Sequence, residues 1–328
     1  MPDLRVMRDV PLPPAPPRRH LIAVSDLGRA DVERLLALAR NFESAAQREL
    51  KKLPTLRGRT VVNLFFESST RTSSSFELAA KRLSADTMVL RASGSSVDKG
   101  ESLRDTALTL AAYDPDVIVI RHPHIGAPQL VAAATEAHVV NAGDGKHQHP
   151  TQALLDLHTI RNALGRLDGV TVAIVGDVLH SRVARSLVEA LLLVGAEPVL
   201  IAPPTLLPRD VEALGATVSH SIDSLPDADV VYVLRMQAER MEASYVPSLR
   251  EYTALYGVTP DRVRPGQVVM HPGPMNRGVE IDPRVADSGA SLVTTQVRSG
   301  LVVRMAVLYD LLTAPGLHVA SAPVMEVA

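Results

Sequence analysis

The stretch FFESSTRTSSSFELAAKRL, residues 65–83, decides how the rest of the chain is read. An apolar run beginning at Thr60 ends at the two phenylalanines, and a helical pattern takes over within a few residues. A chain needing only a turn there could use Asn-Gly or Pro-Asp. Instead the junction holds a row of hydroxyls around a single arginine, Arg71. Hydroxyls cap a helix by satisfying the free amides of its first turn. The same amides and the helix dipole also attract an anion. Arg71 separates the two readings, because a cation at a helix N-terminus is unfavourable unless an anion compensates it. Ser74 and Glu77 have capping-box spacing, which predicts a helix start slightly later than Thr72.

Working outward, the same strand-then-helix pattern recurs. Short β-branched runs predict strands at 60–66, 87–90, 117–120 and 138–141, then at 170–175, 198–201, 230–234 and 267–270. Helical patterns lie between them, at 102–112, 150–162 and 181–194. Strands that are apolar throughout and separated by helices imply parallel sheets covered on both faces. The expected fold is therefore α/β, with two doubly wound parallel-sheet domains and the active site in the cleft between them. The expected boundaries are an extended arm at 1–20, a first domain at 21–150, a connecting helix at 151–165 and a second domain at 166–292. A last helix at about 293–313 is expected to pack back on the first.

Composition narrows the chemistry. At 328 residues the chain is long for one core. A net charge of −2 argues against binding nucleic acid by bulk electrostatics, though not against a local cationic pocket. The absence of cysteine removes disulfides, thiol nucleophiles and Cys-based metal sites. Nothing resembles a signal peptide or a span of about 20 apolar residues, so no membrane contact is expected and the expected location is the cytoplasm.

In open parallel sheets, ligands bind beyond the carboxyl ends of the strands. Six such ends carry polar or cationic groups here: the segment Ser69–Thr72, Arg121, the run AGDGKHQHPTQ at 142–152, Asp177 with His180 and Arg182, Arg235 with Gln237, and HPGP at 271–274. One such end is unremarkable; six read as a cleft for a small acidic molecule. Each also has a plainer reading. Arginines usually form surface ion pairs, and a lone histidine is more often structural. Asp144, His147 and His149 lack the spacing of common helical metal ligands, so no metal and no cofactor are expected. The turn at Gly176 lacks a full G-x-G-x-x-G pattern, which disfavours a dinucleotide site.

Taken together and in order, FFESSTRT, KGES, RHP and HPTQALLDL resemble the aspartate/ornithine carbamoyltransferase family over nearly the whole chain after the arm. Within it, RMQ at 235–237 and HPGP at 271–274 resemble the catalytic chains of the aspartate-using members. The physical logic agrees: a second substrate with two carboxylates suits paired guanidiniums, Arg182 and Arg235. The resemblance implies transfer of the carbamoyl group of carbamoyl phosphate to L-aspartate, in pyrimidine biosynthesis. It implies that Ser69, Thr70, Arg71 and Thr72 hold the phosphate, with Ser95 and Lys99. Arg121, His149 and Thr70 would polarise the carbamoyl oxygen, while Gln152 and Pro274 hold the carbamoyl amide. Arg182, Arg235, Gln237 and Lys99 would position aspartate. Catalysis is assigned to Arg71, Thr72, Lys99, Arg121 and His149.

In this family Ser95 and Lys99 belong to a loop that reaches a neighbouring subunit, which implies a homotrimer with shared sites. The HPGP form further resembles enzymes that associate with dihydroorotase or a dihydroorotase-like protein, rather than with regulatory chains. One departure stands out: Ser73 and Ser74 follow Thr72 where the family usually has another arginine. That predicts one positive charge fewer near the phosphate. The competing readings are a transcarbamylase for another amine, a catalytically silent scaffold, and a nucleotide-dependent dehydrogenase.

Overall fold

The computed structural model describes residues 20–46, 51–91, 100–237 and 245–313. After helix α1 (Arg29–Ala46), four strands alternate with three helices: β1 (Thr60–Phe65), α2 (Thr70–Arg82), β2 (Asp86–Arg91), α3 (Leu103–Ala111), β3 (Val117–His122), α4 (Ala127–Ala134) and β4 (His138–Asp144). Helix α5 (Pro150–Leu164) then leads into β5 (Thr171–Val175), α6 (Arg182–Leu193), β6 (Glu197–Ile201), β7 (Thr217–Ser219) and β8 (Val230–Val233). The described residues end with α7 (Leu249–Tyr256), β9 (Val268–Met270), α8 (Pro283–Ala286) and α9 (Val293–Thr313).

The strands form two sheets, one ordered β2-β1-β3-β4 and the other β7-β6-β5-β8-β9, with every pairing parallel. Period-2 alternation explains how one strand serves two cores. Val61, Phe65, Val117 and Val119 face a core shared with α1, α2, α5 and α9. Val62, Leu64, Ile118 and Ile120 face a second one built with α3 and α4. The first sheet is thus wound on two faces, as the apolar runs predicted. β2 departs from that expectation. It lies at the sheet edge with residues such as Val89 exposed, so its sequence need not be apolar on both sides.

The chain order places a switch point in each sheet. From β1 the chain runs outward to β2 and returns on the other side at β3; from β5 it runs through β6 and β7 and returns at β8. Crevices open where neighbouring connections part in opposite directions. The carboxyl ends of β1, β3, β5 and β8 are therefore the positions where this fold can hold a ligand. Helix α9 packs against α1, α2 and α5. A buried ion pair, Arg34 Nε to Asp310 Oδ1 at 2.8 Å, ties α1 to α9. Among the described residues no helix is long and apolar enough to cross a membrane.

Candidate active site

The strand ends named from the sequence do meet, around one cleft of about 860 Å³. Ser69, Thr70, Arg71 and Thr72 line it from the β1–α2 junction, and Arg121 from the end of β3. His149 and Gln152 enter from the start of α5, and Arg182 from the start of α6. Arg235, Gln237 and Pro274 complete it after β8 and β9. Ser95 and Lys99 lie outside the described residues.

Three helix N-termini converge here, two of them capped by a serine side chain. Helix α2 starts at Thr70, with Ser69 Oγ accepting from the Thr72 amide at 3.4 Å. The start is thus earlier than the Ser74–Glu77 spacing predicted. Ser75 fits that start: its single hydroxyl proton is shared between the carbonyls of Arg71 at 2.6 Å and Thr72 at 3.0 Å, a bond back to a turn that is already helical. His149 is the N-cap of α5 but makes no side-chain cap bond. Its amide is taken by Ser186 Oγ at 2.8 Å, and Pro150 supplies the preset φ of the first turn. The imidazole is thereby left to the cleft. Ser181 caps α6 through the Ala184 amide, which puts Arg182 at the first helical position.

The loop before α5 is organised by a buried carboxylate. Asp144 accepts from Asn141 Nδ2 at 2.8 Å and from the amides of Gln148 at 3.0 Å and Gly126 at 3.2 Å. His147 Nδ1 stands 3.1 Å from the same carboxylate, so His147 braces the loop while His149 faces the cleft. The three residues weighed as a metal set are therefore split between two places. Among the described residues, no three His, Asp or Glu side chains are grouped to hold a metal.

Electrostatically the cleft is a concentration of guanidiniums with few anions. Arg182, only 3 % exposed, is not the surface pair-former of the plainer reading. Burial and the nearby Arg121 pull its guanidinium down from the ordinary arginine value, and Glu67 holds it up. Glu67 Oε2 accepts from Arg182 Nη2 at 2.6 Å and from Arg121 Nε at 3.2 Å. His149 is pushed well below the ordinary histidine value, by burial first and then by Arg121, Arg304 and Arg182. It is therefore a neutral imidazole at physiological pH, able to donate a hydrogen bond without adding charge.

Sequence reasoning missed three residues. Glu67 sits inside the opening stretch, between β1 and α2, and lines the cleft. Arg304 lies in the middle of α9 and lines the cleft while 3 % exposed. Its Nη1 donates to Ser75 Oγ at 2.6 Å, and its guanidinium stacks 5.1 Å from the Phe76 ring. Burial and Arg121 lower its proton affinity to about 9 against the pull of Asp156, so it is charged at neutral pH. Gln296, also on α9, lines the same wall. No local motif marks the last two; only their packing against α2 and α5 brings them in.

The charge expected to be missing at Ser73 and Ser74 has a counterpart brought from elsewhere in the fold. Neither residue lines the cleft, whereas Ser75 does, and Arg304 brings a buried cation to Ser75 from another helix.

Two parallel α/β sheets whose switch points share one guanidinium-rich cleft define a protein that binds small polyanions between two domains. The chain belongs to the aspartate/ornithine carbamoyltransferase family. Residues 19–162 match the family's carbamoyl-P binding domain, and residues 168–311 match its Asp/Orn binding domain. The chain is 56% identical over 301 residues to an aspartate carbamoyltransferase catalytic subunit from Salinispora arenicola, covering 90% of this chain and 98% of that one. It is 57% identical over 298 residues to the catalytic subunit from Acidothermus cellulolyticus, covering 90% and 92%. Among solved structures it is similar to aspartate transcarbamoylase from Trypanosoma cruzi in complex with carbamoyl phosphate and aspartate. That likeness has a TM-score of 0.83 at 33% identity, covering 92% of this chain and 99% of that one.

Proposed function

We propose that this chain transfers the carbamoyl group of carbamoyl phosphate to the amine of L-aspartate, giving N-carbamoyl-L-aspartate and phosphate for pyrimidine biosynthesis. The observation that carries this reading is the meeting of Arg71, Arg121, His149, Arg182 and Arg235 in one cleft at two sheet switch points. Phosphate binds at the start of α2, on the amides and hydroxyls of Ser69–Thr72, with Arg71 as its counter-ion. Arg121, neutral His149 and Thr70 donate to the carbamoyl oxygen, where negative charge grows as the amine attacks. Gln152 and the backbone at Pro272–Pro274 hold the carbamoyl NH2. Arg182, Arg235 and Gln237 orient the two carboxylates of aspartate so that its nitrogen faces the carbamoyl carbon. The new C–N bond forms, the C–O bond to phosphate breaks with its electron pair, the amine gives up one proton and the phosphate takes one up. No covalent bond to the enzyme is required.

We assign residues 21–150 to carbamoyl-phosphate binding, 151–165 to the connecting helix, 166–292 to aspartate binding and the helix at 293–313 to the first half. We also propose a homotrimer in which Ser95 and Lys99 act in a neighbour's site, Lys99 on both substrates. Its support is a set of exposed apolar side chains on the first sheet and its helices: Leu78, Val89, Leu108 and Leu130. Association with a dihydroorotase or dihydroorotase-like chain belongs to the same proposal, as does a cytoplasmic location. They are tested by light scattering, co-purification and cell fractionation.

The activity test is direct. The purified chain, supplied with carbamoyl phosphate and L-aspartate, is expected to release phosphate and N-carbamoyl-L-aspartate. A strong preference for ornithine would replace the aspartate reading, and no turnover with or without its partner chain would favour a scaffold. Chains carrying Arg71→Ala and Lys99→Ala, each inactive alone, are expected to regain activity when mixed; failure would argue against a shared site.

A further inference from the structure

Behind the cleft wall lies a carboxylate that the proposed chemistry does not use. Asp156 is fully buried one turn along α5 from Gln152. It accepts from Gln152 Nε2 at 3.1 Å and 3.3 Å, from the Tyr232 hydroxyl at 2.7 Å and from Gln296 Nε2 at 2.8 Å. The donors come from three elements: α5, β8 and α9. Gln296 is in turn fixed at its other end, because its Oε1 accepts from the His271 amide at 2.9 Å.

A side-chain amide has one donor end and one acceptor end, and its neighbours decide which way it points. At pH 8 the carboxylate is ionised and has no hydrogen to give, so the amide atoms it touches must be NH2 groups. With its nitrogen held against both Asp156 oxygens, Gln152 has Oε1 at the end turned from the carboxylate, for the cleft it lines. That end of the pocket therefore offers an acceptor and asks for an N–H. We propose that Asp156 is a positioning residue that fixes the Gln152 amide, so that the site selects an acyl phosphate bearing NH2 over one bearing methyl.

The inference rests on the carbamoyl-phosphate reading but is tested by binding alone, so it stands or falls separately from turnover. Two ligands of nearly equal shape serve as probes. Phosphonoacetamide carries NH2 at the relevant position, and 2-oxopropylphosphonate carries CH3. Titration calorimetry on the full chain at pH 8 is expected to show about tenfold or greater preference for the amide, as a hydrogen bond to an otherwise unmet buried acceptor predicts.

In Asp156→Asn the new NH2 needs an acceptor. Turning Gln152 round supplies one and presents Nε2 to the cleft instead. The preference is then expected to collapse to within about twofold, while 2-oxopropylphosphonate binding changes by no more than about twofold. Equal loss for both probes would mark Asp156 as merely structural, and a retained preference would show that it does not set the amide. Either result overturns the proposal.

A measurement on the unmutated protein guards against an unfolded variant. The Gln152 side-chain NH2 signals, identified by their loss in Gln152→Ala, are expected to exchange slowly with solvent both with and without phosphonoacetamide. Fast exchange in the free protein, slowed only by the ligand, would place the NH2 in the cleft and refute the assignment.

Discussion

Glu67 and Arg182 meet across the cleft, 2.6 Å apart, one from the β1–α2 junction and the other from the start of α6. Arg182 is nearly fully buried and Glu67 supplies its hydrogen-bonded counter-charge, so the pair ties the two halves while holding a guanidinium in place. Removing one partner of such a pair strands the other charge. Glu67→Gln is therefore expected to lower kcat/KM for aspartate by about tenfold or more, on the scale of 1.4 kcal/mol per tenfold. The effect on carbamoyl phosphate should be smaller, because Arg121 keeps a second contact to Ser69 Oγ at 3.3 Å. Steady-state kinetics with each substrate varied in turn checks this, and equal losses for both would refute the division of labour.

Arg304 ties the last helix to the start of α2 in the cleft wall. Its guanidinium sits in the cleft wall, bonds to Ser75 and reaches no carboxylate within ion-pair distance among the described residues. Such a group costs stability in the empty protein and is compensated when an anion arrives. Arg304→Met is expected to weaken carbamoyl-phosphate binding by about tenfold or more, yet to leave the melting temperature equal or higher. Arg304→Lys keeps charge without the planar fork and should fall between. Calorimetry paired with thermal unfolding reads both arms; a variant that binds normally would remove Arg304 from the site.

How much of this could be read from the sequence depends on where each signal sits. Strand ends beside Gly, Pro and hydroxyl-rich turns are local features, so Arg71, Arg121, His149, Arg182 and Arg235 were found from their own neighbours. Asp156, Gln296 and Arg304 are inside helices, where a buried polar residue looks like any interruption of an apolar face. The buried faces of α5 and α9 decide their role, and those faces are known only once the helices pack. Secondary structure followed the same division. Most of the core strands showed themselves as β-branched runs, whereas β7, three residues at a sheet edge, left no pattern to find. The capping-box reading at Ser74 failed for a similar reason. Ser69 takes the cap instead, and the helix begins five residues sooner, with Ser75 bonded back to the preceding turn.

Gly273 is the residue against which Arg71 rests. Its φ is +67°, and a Cβ there would stand 2.7 Å from the Arg71 guanidinium carbon. Any side chain must both adopt a left-handed backbone and displace the arginine. Gly273→Ala is expected to lower kcat/KM for carbamoyl phosphate by about tenfold and to cost about 1–2 kcal/mol of stability from the backbone alone. Activity and urea unfolding measured on the same preparation check it. Unchanged turnover would mean that Arg71 finds its place without the glycine.

The buried carboxyl of Asp156 gives the last prediction, in stability against pH. Burial raises it from the ordinary 3.8 to about 7, with Gln296, Tyr232, Gln152 and the charge of Arg304 pulling the other way. Tyr232, itself pushed well above the ordinary tyrosine value by burial and by Asp156, keeps its proton and stays a donor. Below pH 3.8 the carboxyl is protonated in both folded and unfolded chains and contributes nothing. Between 3.8 and 7 the folded protein holds a proton that the unfolded chain has lost, so stability falls as pH rises. Above 7 both are ionised and the full cost is present, on the order of 4 kcal/mol. Asp156→Asn lacks this titration while sharing every other group, so subtracting the two isolates it. The stability of the wild type relative to Asp156→Asn is expected to decline between pH 4 and pH 7 and to level off by pH 8, read from urea midpoints at intervals across that range. A flat difference would mean that Asp156 stays ionised in the folded protein throughout, and a difference that grows in favour of the wild type would reverse the sign of the argument.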